Sequence, residues 1–114
     1  MHEMALAESV RDLIEAQAVK QGFRRVRTVE LEIGQLAAVD SAALRFALDI
    51  ALRGTSAEGA ALDITEPAGQ AWCMQCSNTV ELARRGDPCP ACGGYQLTVV
   101  GGDQMRVSGL VVDD

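Results

Sequence analysis

The 114-residue sequence has one histidine (His2), one lysine (Lys20) and four aromatic residues, Phe23, Phe46, Trp72 and Tyr95. Each scarcity excludes something. There is no second histidine to set up a base-orienting arrangement with His2, so nucleophilic catalysis has no support. With so few rings, aliphatic side chains and alanine must fill the core, and there is no aromatic platform for stacking bases. The net charge of −6 and the two isolated basic clusters, Arg24-Arg25-x-Arg27 and Arg84-Arg85, argue against a phosphate-backbone ligand. No apolar run approaches the ~20 residues of a membrane span. No basic segment followed by an apolar stretch marks a signal peptide. No glycine-rich loop precedes a Lys-Ser/Thr pair, so nucleotide binding has no support. The expectation is a chain that is not an enzyme and binds neither nucleic acid nor membrane. An acidic surface suits protein partners or cations.

What the sequence does have is a cysteine pattern. Cys73-Met74-Gln75-Cys76 is followed, after twelve residues, by Cys89-Pro90-Ala91-Cys92-Gly93-Gly94, and these are all four cysteines of the chain. Two C-x-x-C knuckles at this separation present four thiolates to a tetrahedral zinc, at about 2.3 Å each. Pro90 presets one turn dihedral, and Gly93-Gly94 permits a positive φ on the way out. A disulfide framework competes poorly, because nothing marks the chain as secreted. A thioredoxin-like redox pair fits less well, because neither pair lies between a strand and a helix. Four thiolates close the shell, so the zinc is a strut with no position open to substrate. Reduced cysteines without an export signal point to the cytoplasm.

Period and punctuation order the rest. Leu6, Val10, Leu13 and Ile14 predict a helix from Glu3 to about Gln21, with Gly22 as its terminating residue. Val29, Leu31 and Ile33 alternate with Thr28, Glu30 and Glu32 in a strand over Val26–Ile33 whose second face meets water. A second helix starts near Asp40-Ser41 and turns Leu44, Ala47, Leu48, Ala51 and Leu52 inward. Ala61–Glu66 reads as a strand, and Pro67-Ala68-Gly69 as a domain boundary. Short strands at Val80-Glu81-Leu82 and Tyr95–Val100 flank the metal. A last strand, Met105–Val112, returns to the first sheet. The expected fold is α+β: two helices packed on a three-stranded antiparallel-type sheet, with a zinc-ribbon module inserted. Its boundaries are 1–68 and 103–114 for the α/β domain and 69–102 for the ribbon.

His2 stands beside a chain-terminal amine. The Met1 amine, the His2 amide and the His2 imidazole can close five- and six-membered chelate rings on one cation, a nitrogen-rich set that suits Ni(II) or Cu(II). The Glu3 amide or a carboxylate could complete it. Read from the residues alone, His2 fits an uncommitted polar terminus better than a metal ligand. Glu3 fits a first-turn helix acid, and Asp40 fits an N-cap better than a metal ligand.

Taken together, several segments resemble the HypA/HybF family of hydrogenase-maturation nickel chaperones. They are Met1-His2-Glu3 before a helix, Glu32-Ile33-Gly34-Gln35-Leu36, Val39-Asp40, Leu44-Arg45-Phe46-Ala47, the two knuckles and Gly102-Asp103-Gln104-Met105-Arg106-Val107. The resemblance implies nickel at the amino terminus, with His2 as the indispensable ligand and Glu3 and Asp40 near the site; the Met1 amine joins them on the chelate chemistry above. It also implies a structural zinc on Cys73, Cys76, Cys89 and Cys92. The implied partners are the GTPase HypB and the large subunit of [NiFe]-hydrogenase, with urease as a further nickel recipient for some members. The chain would act as a monomer or homodimer. Departures from the family pattern at Gln104 and at Gly109-Leu110-Val111 put partner contacts of the last strand in doubt. The competing class is a zinc-ribbon module that binds protein or nucleic acid and holds no second metal.

Overall fold

The computed structural model describes residues 3–113, in the order α1 (Glu3–Gln21), β1 (Arg25–Ile33), α2 (Ser41–Ala51), β2 (Ala61–Thr65), β3 (Gly69–Cys73), β4 (Asn78–Leu82), β5 (Leu97–Gly101) and β6 (Met105–Asp113). The α+β expectation holds: two helices and two three-stranded sheets, ordered β2-β1-β6 and β4-β3-β5.

The chain divides into two compact units. One comprises the residues up to Leu31, Val39–Ile64 and those from Val107 on; the other comprises Glu32–Ala38 and Thr65–Arg106. In the first, α1 buries Ala7, Val10 and Ile14, and α2 buries Leu44, Ala47 and Leu48. The expected α1 stripe is therefore rotated. Leu13 stays exposed, because it lies about 100° around the helix from Ile14 and off the Ala7–Val10–Ile14 line. It lines an open cleft with Phe23 of the following loop and with Val107, Leu110 and Val112 of β6. Gly22 ends α1 at φ +77°, with its N–H bonded to Ala18 O. On β1, Val29, Leu31 and Ile33 are buried in alternation. The opposite face is half-buried rather than wet, as befits the middle strand of its sheet. Part of its cover is local. The Glu30 carboxylate lies so close over Gly109 that a Cβ there would sit 2.4 Å from Glu30 Oε1. The glycine of the last strand makes room for a carboxylate on the central one.

The second unit is a small antiparallel sheet. β3 pairs with β4 from Gly69↔Leu82 to Cys73↔Asn78, and with β5 from Gln70↔Gly101 to Cys73↔Leu97. Sequence reasoning missed β3, because Gly-Gln-Ala-Trp-Cys carries almost no β-branched signal and follows a Pro-Ala-Gly break. Its alternation of buried Gly69, Ala71 and Cys73 appears only once the neighbouring strands are in place. The core is Leu36, Ala71 and Leu82, with Val80, Leu97 and Val99 packed on it. Leu36 comes from far upstream. Gly34 and Leu36 donate backbone hydrogen bonds to Gln104 O and Gly102 O, and Gln35 N–H bonds Pro67 O. These ties draw Glu32–Ala38 into the unit that holds the cysteines.

Candidate metal centres

The register builds the cysteine site. Cys73 ends β3 opposite Asn78 of β4 and Leu97 of β5, so both knuckles emerge at one end of the sheet. The knuckles share a backbone design. In the first, Cys73 O accepts from Ser77 N–H at 2.8 Å; in the second, Cys89 O accepts from Gly93 N–H at 2.8 Å. Both closing residues are left-handed, Ser77 at φ +53° and Gly93 at φ +75°. Cys76 N–H also donates to Cys73 Sγ at 3.4 Å.

All four sulfurs lie within 4.8 Å of one another. Cys73 Sγ is 3.7 Å from Cys92 Sγ, and Cys76 Sγ is 3.9 Å from Cys89 Sγ. A tetrahedron of sulfurs each about 2.3 Å from a central zinc has an edge of about 3.8 Å. The four are free thiols, not disulfides, and the donor set fits zinc both in chemistry and in spacing. Their environments differ. Cys73 and Cys89 are buried, Cys76 is half-buried and Cys92 is exposed. Without a metal, hydrogen bonding with the Cys92 and then the Cys73 side chain pushes the Cys76 thiol up to about 12. The backbone N–H groups of Cys92 and Ala91 favour the Cys89 thiolate and bring it down to about 7. Among the described residues a further side chain touches the cluster and escaped sequence reasoning: Gln75, whose Oε1 accepts from Cys92 Sγ at 3.3 Å. An amide inside a C-x-x-C pair was the only available signal.

Of the amino-terminal group, Met1 and His2 lie outside the described residues. Glu3 and Asp40, 37 positions apart, meet: Asp40 N–H donates to Glu3 Oε2 at 3.2 Å. Asp40 is also the N-cap of α2, its Oδ1 accepting from Ala42 N–H at 3.0 Å and Ala43 N–H at 3.1 Å. The Arg84-Arg85 cluster is partnered, with Arg84 3.9 Å from Asp87 and Arg85 3.9 Å from Asp103.

Residues 1–112 match the family model described as "Hydrogenase/urease nickel incorporation, metallochaperone, hypA". The chain belongs to the HypA family. The hydrogenase maturation factor HypA of Azoarcus sp. (strain BH72) is 51% identical over 114 residues, all of both chains. That of Rhodobacter capsulatus is 53% identical over 112 residues, 98% of this chain and 99% of the relative. In fold, the chain is similar to the solution structure of the Ni metallochaperone HypA from Helicobacter pylori, at a TM-score of 0.72 and 24% identity, over 98% of this chain and 97% of that one. HypA proteins are maturation factors and metallochaperones, not enzymes. Among the described residues, no helix is long and apolar enough to cross a membrane.

Proposed function

We propose that this chain binds Ni(II) at its amino terminus and hands it over during [NiFe]-hydrogenase maturation, while a structural zinc sits on Cys73, Cys76, Cys89 and Cys92. The observation that carries the reading is the match to a nickel-incorporation family from residue 1 to residue 112. Such a match takes in the terminal Met1-His2-Glu3 as well as the cysteines. A four-thiolate shell is full once zinc enters it, so the transferable metal needs another set of donors. His2 is the central ligand, through its imidazole and amide, with the Met1 amine beside it. Glu3 and Asp40 are the carboxylates of the set. The contact between Asp40 N–H and Glu3 Oε2 supports a common location for these two acids. With Oδ1 committed to the α2 cap, Asp40 would reach a metal through Oδ2.

The functional division is a nickel-bearing domain of 1–68 and 103–114 and a zinc ribbon of 69–102, with the cytoplasm as the working compartment. A surface chelate exchanges ligands readily with a recipient, which suits delivery to the hydrogenase large subunit alongside a HypB-type GTPase. The pairing of Arg84 and Arg85 with carboxylates favours this reading over nucleic-acid binding.

Metal analysis of untagged protein after nickel addition tests the proposal: one zinc and one nickel per chain are expected. Zinc alone would identify a zinc-ribbon binding module without a second metal. His2→Ala is expected to abolish nickel binding in calorimetry with no change in the thermal transition. Undiminished nickel affinity in that variant rules out the terminal chelate.

A further inference from the structure

Cys92 is the exposed member of the cysteine cluster, and one side chain reaches across to it. Gln75, from the first knuckle, brings its amide to 3.3 Å from Cys92 Sγ in the second. The amide also lies against the backbone that leaves the second knuckle: a Cβ added to Gly94 would sit 2.2 Å from Gln75 Oε1 and 3.4 Å from Cys92 Sγ. Only a residue without a side chain at position 94 lets the amide lie there. Gly94 is also held independently of Gln75, since its carbonyl accepts the Cys89 N–H at 2.7 Å.

As a thiol, Cys92 donates to Gln75 Oε1. A zinc-bound Cys92 is a thiolate with no proton to give, and an amide oxygen facing it would be repelled. Turning the amide over exchanges oxygen for nitrogen in the same volume and presents an N–H to the sulfur. We propose that Gln75 is a positioning residue for the zinc site, whose side-chain N–H bonds the Cys92 thiolate and shields the most accessible of the four ligands from protons, electrophiles and competing chelators. The physical basis is that a hydrogen bond donated to a ligating thiolate withdraws charge from the sulfur and lowers its basicity and nucleophilicity. Partners of this kind alter metal affinity by about 10- to 100-fold when removed. The effect belongs at Cys92, because Cys73 and Cys89 are already covered by the fold.

The inference rests on the zinc reading above, and the experiment separates the two. Zinc-loaded full-length protein is mixed with excess chromophoric chelator to follow zinc release. In parallel it is treated with iodoacetamide, and alkylation is read cysteine by cysteine by peptide mass spectrometry. Gln75→Met keeps the length of the side chain and removes the N–H. Gly94→Ala leaves Gln75 in place but pushes its amide aside. Both are expected to release zinc roughly 10-fold faster, with the added alkylation concentrated on Cys92. Gln75→Glu, which sets a carboxylate against the thiolate, is expected to be at least as fast as Gln75→Met. Met74→Ala, at the exposed neighbour, is the control and should match the parent. In cadmium-113-substituted parent protein, the Gln75 side-chain amide proton is expected to show coupling to the metal, a readout independent of any variant. Parent-like zinc release in both Gln75→Met and Gly94→Ala would overturn the inference and leave the zinc site standing. Protein isolated without zinc would overturn both.

Discussion

Asp40 accepts two backbone N–H groups through Oδ1 and donates its own amide to Glu3 Oε2. The N-cap preferred on sequence grounds is thus present, and its position beside Glu3 is what the sequence could not show. The cap and the proposed nickel role can be pulled apart. Asp40→Ala should lower stability by about 1 kcal/mol in urea unfolding, as N-cap deletions do. Asp40→Asn keeps an equivalent cap and should leave stability nearly unchanged, while nickel affinity falls several-fold in calorimetry because a carboxylate has gone. Full nickel affinity in Asp40→Asn would make the residue a cap alone. The thiols carry a second residue-scale expectation. Zinc binds thiolates, so protons compete with it and affinity must rise with pH. With Cys76 held as a thiol up to about 12, at least one proton leaves on binding anywhere near neutrality, so apparent zinc affinity should fall at least ~10-fold per unit as pH is lowered from 9 to 7. Below about 7, Cys89 takes up its proton too, and the dependence should steepen. A competition titration with a zinc indicator at several pH values reads both slopes.

At the scale of elements, the two knuckles are one turn written with different residues. Each closes on a left-handed residue, Ser77 in the first and Gly93 in the second. For a residue with a side chain that conformation costs about 1–2 kcal/mol, and glycine avoids it. Gly93→Ala meets no atom within 4 Å of the new Cβ, so its cost is conformational alone and should be about 1 kcal/mol. Ser77→Gly removes the same strain but loosens the unfolded chain by roughly 0.5–1 kcal/mol, so it should be neutral to slightly stabilising. Thermal unfolding of the zinc-loaded proteins reads both signs. β3 shows the other side of element-scale reading. By contrast, β1 was legible because Val29, Leu31 and Ile33 alternate strongly, whereas the alternation of Gly69, Ala71 and Cys73 is carried by small side chains that carry little hydrophobic signal.

For the molecule as a whole, the apolar cluster of the cysteine-bearing unit is small among the described residues: Leu36, Ala71 and Leu82 are buried, with Val80, Leu97 and Val99 half-buried against them. So small an apolar cluster offsets little of the chain entropy of ordering that unit, and on the proposed zinc reading metal binding supplies the difference. Removing zinc with a strong chelator should speed hydrogen exchange in β3, β4 and β5 while α1 and α2 keep their protection. Cys73→Ala should do the same without chelator. Unchanged exchange in the three strands after verified zinc loss would show that the sheet stands without the metal.

By itself the sequence determined what short-range chemistry can determine: two helices with the Gly22 stop of α1 and the Asp40 cap of α2, the alternation of β1, and two C-x-x-C knuckles whose spacing calls for a tetrahedral metal. Tertiary structure decided what depends on residues far apart in the chain. Leu36 joins Ala71 and Leu82 because the Gly34–Leu36 stretch hydrogen-bonds to the backbone around Gly102 and Pro67. Glu3 meets Asp40 because α1 and α2 pack together. Gln75 covers Cys92 because the β3–β5 register brings the knuckles to the same end of one sheet. Periodicity reports which face of an element is apolar, but it carries no information about which distant backbone groups that face will meet.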